Sequence, residues 1–221
     1  MKVQIYAHKT PEDAAMSAAA GVDFIGVSMG EKGRLKDEVT FAKCRQIFDA
    51  IKETGVMRVA LTVAWELAAI IETVQAVEPD VIHLSGDIAD LPPAQVAELR
   101  KAISPVKIMQ AIPVSGPETI KLARQYQPMS DYFILDTDLA DFVGIGATGA
   151  THDWRISTEI VRRVHIPVIL AGGLSPENVA EAIRAVKPWC VDPFSHTNLP
   201  GSKRKDPARV KAFAETAKSA L

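Results

Sequence analysis

The chain is poor in the features that mark specialised protein classes. It has only two cysteines in 221 residues, Cys44 and Cys190, far apart and with no ligand spacing around them. That excludes a disulfide scaffold and argues against a zinc site, so both thiols are expected to be reduced and buried. The formal net charge is -2, which offers no basic surface for nucleic acid or an anionic membrane. No apolar run reaches membrane-spanning length. The opening Met1–Ile5 run reads as a strand and not as a signal peptide, so a cytoplasmic location is expected. No G-x-G-x-x-G follows the first strand-like run, which removes the main argument for a dinucleotide-binding sheet. No linker or low-complexity tract interrupts the chain, and a single domain over 1–221 is expected.

What is present is alternation. Short apolar runs with few charges recur eight times, over Val3–Ala7, Asp23–Met29, Met57–Val63, Asp80–Leu84, Val106–Ile112, Asp131–Asp136, Pro167–Ala171 and Trp189–Pro193. Runs of this kind suit strands covered by helices. Helical patterns fill the gaps, over Pro11–Ala20, Val39–Thr54, Glu66–Val77, Ala94–Ile103, Glu118–Tyr126, Arg155–Val164, Pro176–Val186 and Pro207–Leu221. Thr10-Pro11-Glu12 and Ser175-Pro176-Glu177 place a capping hydroxyl before a first-turn proline. Eight such units with right-handed crossovers predict a single (β/α)8 TIM barrel. The competing architecture, an open doubly wound sheet, rarely needs eight strands in so few residues.

The chemistry-bearing residues sit where those strands end. Asp136 closes the sixth apolar run. Gly146-Ala147-Thr148-Gly149 and Ala171-Gly172-Gly173-Leu174 follow it, small-residue turns whose N–H groups can approach a phosphate. A carboxylate facing two such turns suits a sugar-phosphate enzyme built on a barrel. Asp192 ends the eighth run in the same way, and with Asp136 it could form a pair, one protonated and one ionised. Gly201 and Ser202 are further phosphate candidates. The polar stretch Ser202–Asp206 reads either as a solvated loop or as part of a phosphate grip. His83 and Ser85 share strand parity and should face the same side.

At these residues the chain resembles the phosphoribosylanthranilate isomerase family, nearly end to end. Val3–Ala14 is similar to the family's V-K-I-C-G-[LI]-T-x-x-E-D-A, and Ala20–Gly26 to AGAD-x-x-G. Val81–Asp87 is similar to V-V-Q-L-H-G-x. Leu135 through Gly149 to Trp154 resembles LLD…GGTG…FDW, and Leu170–Val179 resembles LAGGL-x-P-x-NV. Val191-Asp192, Pro200-Gly201 and Lys205-Asp206 echo VDVSSGVE-x-x-PG-x-KD. The resemblance implies conversion of an aminoaldose phosphate to an aminoketose by acid–base proton transfer. It implies that an aspartate after strand six, here Asp136, is the acid, and that a cysteine at the end of strand one is the base.

The departures cluster at the expected site. Tyr6 stands at the cysteine position. A free phenol ionises near pH 10, against about 8.5 for a thiol. Tyr6 therefore has three readings: a filler, a hydrogen-bond donor to substrate, or a base. Gln4 replaces a lysine. His83 and Ser85 replace the glutamine and histidine of strand four, and His83 is the best replacement base if it faces the barrel interior. His8 lies just beyond strand one. Arg34 follows strand two near the arginine that the family uses on the anthranilate carboxylate.

The resulting expectation is an isomerase acting on a phosphorylated sugar or sugar derivative, with an altered active site. An epimerase or lyase of the same barrel superfamily, and a barrel that binds a phosphorylated ligand without catalysis, are the alternatives. No metal or organic cofactor and no nucleic-acid or membrane partner is implied, and the sequence leaves a homodimer open.

Overall fold

The computed structural model describes residues 1–30, 35, 37–137 and 153–220. Eight strands and eight helices alternate. They are β1 (Lys2–Ile5), α1 (Pro11–Ala19), β2 (Phe24–Ser28), α2 (Phe41–Asp49), β3 (Met57–Thr62), α3 (Leu67–Val77), β4 (Val81–Leu84), α4 (Pro93–Ile103), β5 (Lys107–Val114), α5 (Glu118–Tyr126), β6 (Tyr132–Thr137), α6 (Trp154–Arg163), β7 (Val168–Leu170), α7 (Val179–Val186), β8 (Cys190–Val191) and α8 (Pro207–Ser219). All neighbouring strands are parallel, and β1 pairs with both β2 and β8, which closes the (β/α)8 barrel that the alternation predicts.

Period-two alternation divides the strand residues between two cores. Ile5, Val27, Ile82, Ile108, Leu135 and Leu170 face the helices. Phe24, Val59, Val81, Met109, Ile134 and Ile169 fill the barrel. The lower interior is apolar and aromatic, with Tyr132 and Trp189 stacked at 5.5 Å between centroids. Towards the carboxyl ends of the strands the interior turns polar, with Gln4, Tyr6, His83 and Asp192 all buried. That gradient places the chemistry at the end where barrel enzymes carry it.

A repeated device sets the opposite rim. Asp23, Asp80 and Asp131 each precede an even-numbered strand. Each carboxylate accepts the N–H of a residue on the preceding odd-numbered strand: Val3 at 3.0 Å, Arg58 at 2.8 Å and Ile108 at 2.9 Å. Each also pairs with a cation, Lys2, Arg58 or Arg100 respectively.

Several boundaries differ from the sequence expectation. The second helix begins at Phe41 and not Val39, because Val39 bridges to Met29 while Thr40 Oγ1 caps Lys43 N–H at 3.2 Å. It ends at Asp49, short of Thr54. The seventh helix begins at Val179 and not Pro176. There the Asn178 side chain accepts Ser175 N–H at 2.8 Å and donates to Gly173 C=O at 3.0 Å, holding residues 175–178 in a turn. β8 stops before Pro193, which has no N–H for the ladder. Cys44 and Cys190 are free and buried, as expected. No helix among the described residues is long and apolar enough to cross a membrane.

Candidate active site

Register places two carboxylates in one row. Leu135, Leu170 and Val191 are partners across β6, β7 and β8, and Val191 pairs with Val3 of β1. The next residue on each strand forms the row above: Asp136, Ala171, Asp192 and Gln4. The pleat turns all four inward. Ala171 is the residue between the two acids in this row, whose strands lie about 10 Å apart at a spacing of about 4.8 Å per strand.

Asp192 is buried, and its Oδ1 has no hydrogen-bond partner. Burial, then the charge of Asp136, pushes its pKa well above the usual carboxylate range; Gln4 and Lys205 work the other way with less effect. The amide of Gln4 is buried beside it, without a hydrogen bond of normal geometry. Asp136 is part-buried and more open to solvent than Asp192.

Tyr6 crosses the barrel from the end of β1 to β4. Its hydroxyl lies 2.9 Å from His83 Nδ1. Its ring rests on Gly26 of β2 so closely that a Cβ there would lie 2.2 Å from Cε1. Burial, then Asp192, raises the Tyr6 pKa well above 10, while burial lowers His83 to about 3. Both are neutral at pH 7. The phenol is assigned as donor, because the reverse assignment would leave two buried groups unmet instead of one. His83 Nε2–H is then the unmet donor, buried and without a partner. This geometry makes the pair a poor source of a base, against the expectation for His83.

His8 lies on the other side of β1. Its Nε2 is 2.8 Å from Ser17 Oγ of α1, and burial, then Lys205, lowers its pKa to about 3. Two buried neutral histidines carry a stability consequence. The unfolded chain takes up their protons near pH 6.5 and the folded chain does so only near 3, so stability is whole above 6.5 and falls with pH down to about 3. Asp192, with its pKa raised, opposes part of that loss. His8→Gln, which keeps a polar partner for Ser17, is expected to flatten the acid limb of melting temperature between about pH 4 and 7. An unchanged limb would show that His8 is not buried neutral.

Gly172 and Gly173 follow β7 with φ of 85° and 63°. Two consecutive left-handed residues suit glycine, and among the described residues their N–H groups have no hydrogen-bond partner. Ser175 N–H, by contrast, is committed to Asn178. Gly201 and Ser202 form the tip of a turn between Asn198 and Lys205, where Ser202 N–H binds Leu199 C=O at 3.0 Å and Ser202 Oγ accepts Arg204 N–H at 3.0 Å. Arg34, Thr148 and Gly149 lie outside the described residues.

In the basic stretch near the C-terminus, Lys203 and Arg204 are exposed and Lys205 is buried. Lys205 is 2% exposed. Its ammonium donates to Tyr6 C=O, to Phe194 C=O at 3.2 Å and to Asn198 Oδ1 at 2.7 Å, tying the end of β1 to the loop after β8. Burial pulls its pKa down to about 7 against the pull of Asp192. Arg204 pairs with Asp13 of α1 at 2.7 Å, and Lys203 with Asp37 at 3.1 Å. Lys205 was not separable by sequence reasoning from its charged neighbours. The one local signal is Asp206-Pro207, which caps α8 through Ala208 N–H at 2.9 Å and fixes where Lys205 must stand.

Residues 6–216 match the family profile described as N-(5'phosphoribosyl)anthranilate (PRA) isomerase. The chain belongs to this family. It is 35% identical to N-(5'-phosphoribosyl)anthranilate isomerase 2 of Methanosarcina mazei over 99% of this chain and 95% of that protein. It superposes on the crystal structure of phosphoribosyl anthranilate isomerase from Thermotoga maritima with a TM-score of 0.81, at 27% identity over 99% and 98% of the two chains. A second Thermotoga maritima structure, of monomers generated from the dimeric isomerase, gives 0.77 at 26% identity over 99% and 98%. These relatives give no support to an epimerase, a lyase or a purely binding barrel. Tyr6, where the resemblance expects a cysteine, lays its ring on Gly26 and its hydroxyl against His83.

Proposed function

We propose that the chain isomerises a 5-phosphorylated aminoribose to the matching aminoketose, with N-(5'-phosphoribosyl)anthranilate as the first substrate to test. The observation that carries this reading is the adjacency of Asp136, at the end of β6, to the Gly172–Gly173 turn, at the end of β7. A phosphate held by the N–H groups of that turn would leave the sugar lying over the inward-facing carboxyl row. Asp136 exchanges protons with the substrate there. Thr148 and Gly149 are assigned to the phosphate by resemblance, and Arg34 to the amine substituent. Gly201 and Ser202 take a lesser part, since the Ser202 N–H is already engaged with Leu199 C=O. Tyr6 and His83 shape the pocket, the unmet His83 Nε2–H offering a hydrogen bond to a sugar hydroxyl. A homodimer, as one Thermotoga maritima relative is described, and a cytoplasmic location complete the proposal.

The test is turnover of N-(5'-phosphoribosyl)anthranilate made in the assay, followed by loss of its fluorescence. Turnover inhibited competitively by inorganic phosphate is expected. A folded protein inactive on this compound and on phosphoribosyl derivatives of other amines would refute the isomerase reading.

A further inference from the structure

The isomerisation needs two proton-transfer groups, and Tyr6 leaves one position unfilled. Its hydroxyl is engaged with His83 at 2.9 Å, on the far side of the barrel. The row above Leu135, Leu170 and Val191 holds a second acid besides Asp136. Asp192 faces inward with a buried Oδ1 that no described group satisfies, and Ala171 between the acids carries only a methyl group.

We propose that Asp192 is a catalytic acid, and that with Asp136 as the base it supplies the acid–base pair that Tyr6 does not. This rests on the isomerase reading. The proton count closes without a third group. Asp192 gives its proton to the ring oxygen, the C1–O bond breaks, and the nitrogen lone pair forms the C1=N bond. Asp136 then takes the proton from C2, the C–H electrons form the C1=C2 bond of the enaminol, and the C1=N π pair returns to nitrogen. Asp136 returns its proton to C1 as Asp192 takes the enol proton, which leaves the ketone at C2 and the pair in its starting state. The division of labour follows burial. Of two interacting carboxyls the more deeply buried one holds the proton, and Asp192 is buried while Asp136 is part-buried. The charged and titratable groups around Asp192 are Asp136 on β6, Lys205 before α8, Tyr6 after β1 and Cys190 on β8. Asp136 favours its protonated form and Lys205 opposes it with less effect.

Two measurements test the assignment. In the substrate-free protein, infrared spectroscopy at neutral pH should show a protonated-carboxyl band that Asp192→Asn removes. On N-(5'-phosphoribosyl)anthranilate, Asp192→Asn should lower kcat by about 100-fold or more with KM little changed, and should abolish the alkaline limb of the rate profile, where the acid loses its proton. Asp192→Glu, which keeps the acid, should retain that limb at a shifted pH, and it serves equally if the asparagine variant does not fold. The Asp136→Asn/Asp192→Asn double variant should lose about as much as either single variant, as expected for groups acting as a unit. A kcat for Asp192→Asn within a few-fold of the parent, or an alkaline limb unchanged in both variants, overturns the proposal. If the parent turns over no phosphoribosyl amine, it is the isomerase reading that fails. The infrared band then decides the protonation of Asp192 on its own, and its absence from the parent overturns the proposal as well.

Discussion

Replacing Asp136 by asparagine is expected to reduce kcat/KM by at least about 100-fold, or about 2.7 kcal/mol of transition-state stabilisation, because one acid–base group is typically worth 10²–10⁴ in rate. The change keeps the side chain's shape and removes only its capacity to carry a proton. Asp136 stands in the inward row above Leu135, beside the Gly172–Gly173 turn, so the loss should fall on kcat while KM for a phosphorylated substrate stays within a few-fold. Tyr6→Phe is the contrast. It keeps the ring on Gly26 and deletes the hydroxyl that meets His83, which costs about one hydrogen bond, roughly 1 kcal/mol. Melting temperatures of both variants are measured first, to separate folding from chemistry. A large loss for Tyr6→Phe with little for Asp136→Asn would make the phenol the catalytic group.

The largest stability effect is expected at Gly26. An added Cβ would lie 2.2 Å from Tyr6 Cε1, 2.3 Å from Cδ1 and 2.5 Å from Cζ. These are atoms of a rigid ring, 3% exposed and tethered at its far end to His83, so the ring has no low-cost retreat. Overpacking of this kind costs about 1–3 kcal/mol, and each kcal/mol lowers the melting temperature of a chain this size by about 2–4 °C. Tyr6→Cys removes the ring and leaves a gap. The Gly26→Ala/Tyr6→Cys double variant should therefore be more stable than the sum of the two single losses, by a coupling of about 1 kcal/mol or more. Strict additivity would mean that the ring does not lie on Gly26.

The two results probe different levels of the molecule. The position of Asp136 was legible in the sequence because it follows from local pattern: an apolar run of strand length, a carboxylate at its end, and a glycine turn after the next run. The Gly172–Gly173 turn was legible for the same reason, since consecutive left-handed residues leave a glycine signature. Helix starts were less so. Ser175-Pro176-Glu177 has the composition of a first turn, yet the Asn178 side chain competes for the same backbone groups and delays the helix to Val179.

The amino-acid sequence by itself determined the barrel, the carboxylate at the end of β6 and the family, because each of these is written in the alternation of apolar runs with helical patterns or in a contiguous motif, whereas both faces of the strands are apolar and only the structure divides them into two cores. Only the tertiary structure decided what Tyr6 and Lys205 do. Tyr6 meets His83 across 77 residues of chain, and Lys205 reaches Tyr6 C=O across 199. A lone pattern of charges around Lys205 cannot tell a buried ammonium from its solvated neighbours, because burial depends on how β1 and the loop after β8 close over it. The row that unites Asp136 with Asp192 likewise depends on the stagger of three strands. Shifting β7 or β8 by one residue would turn one acid towards the helices and dissolve the pair.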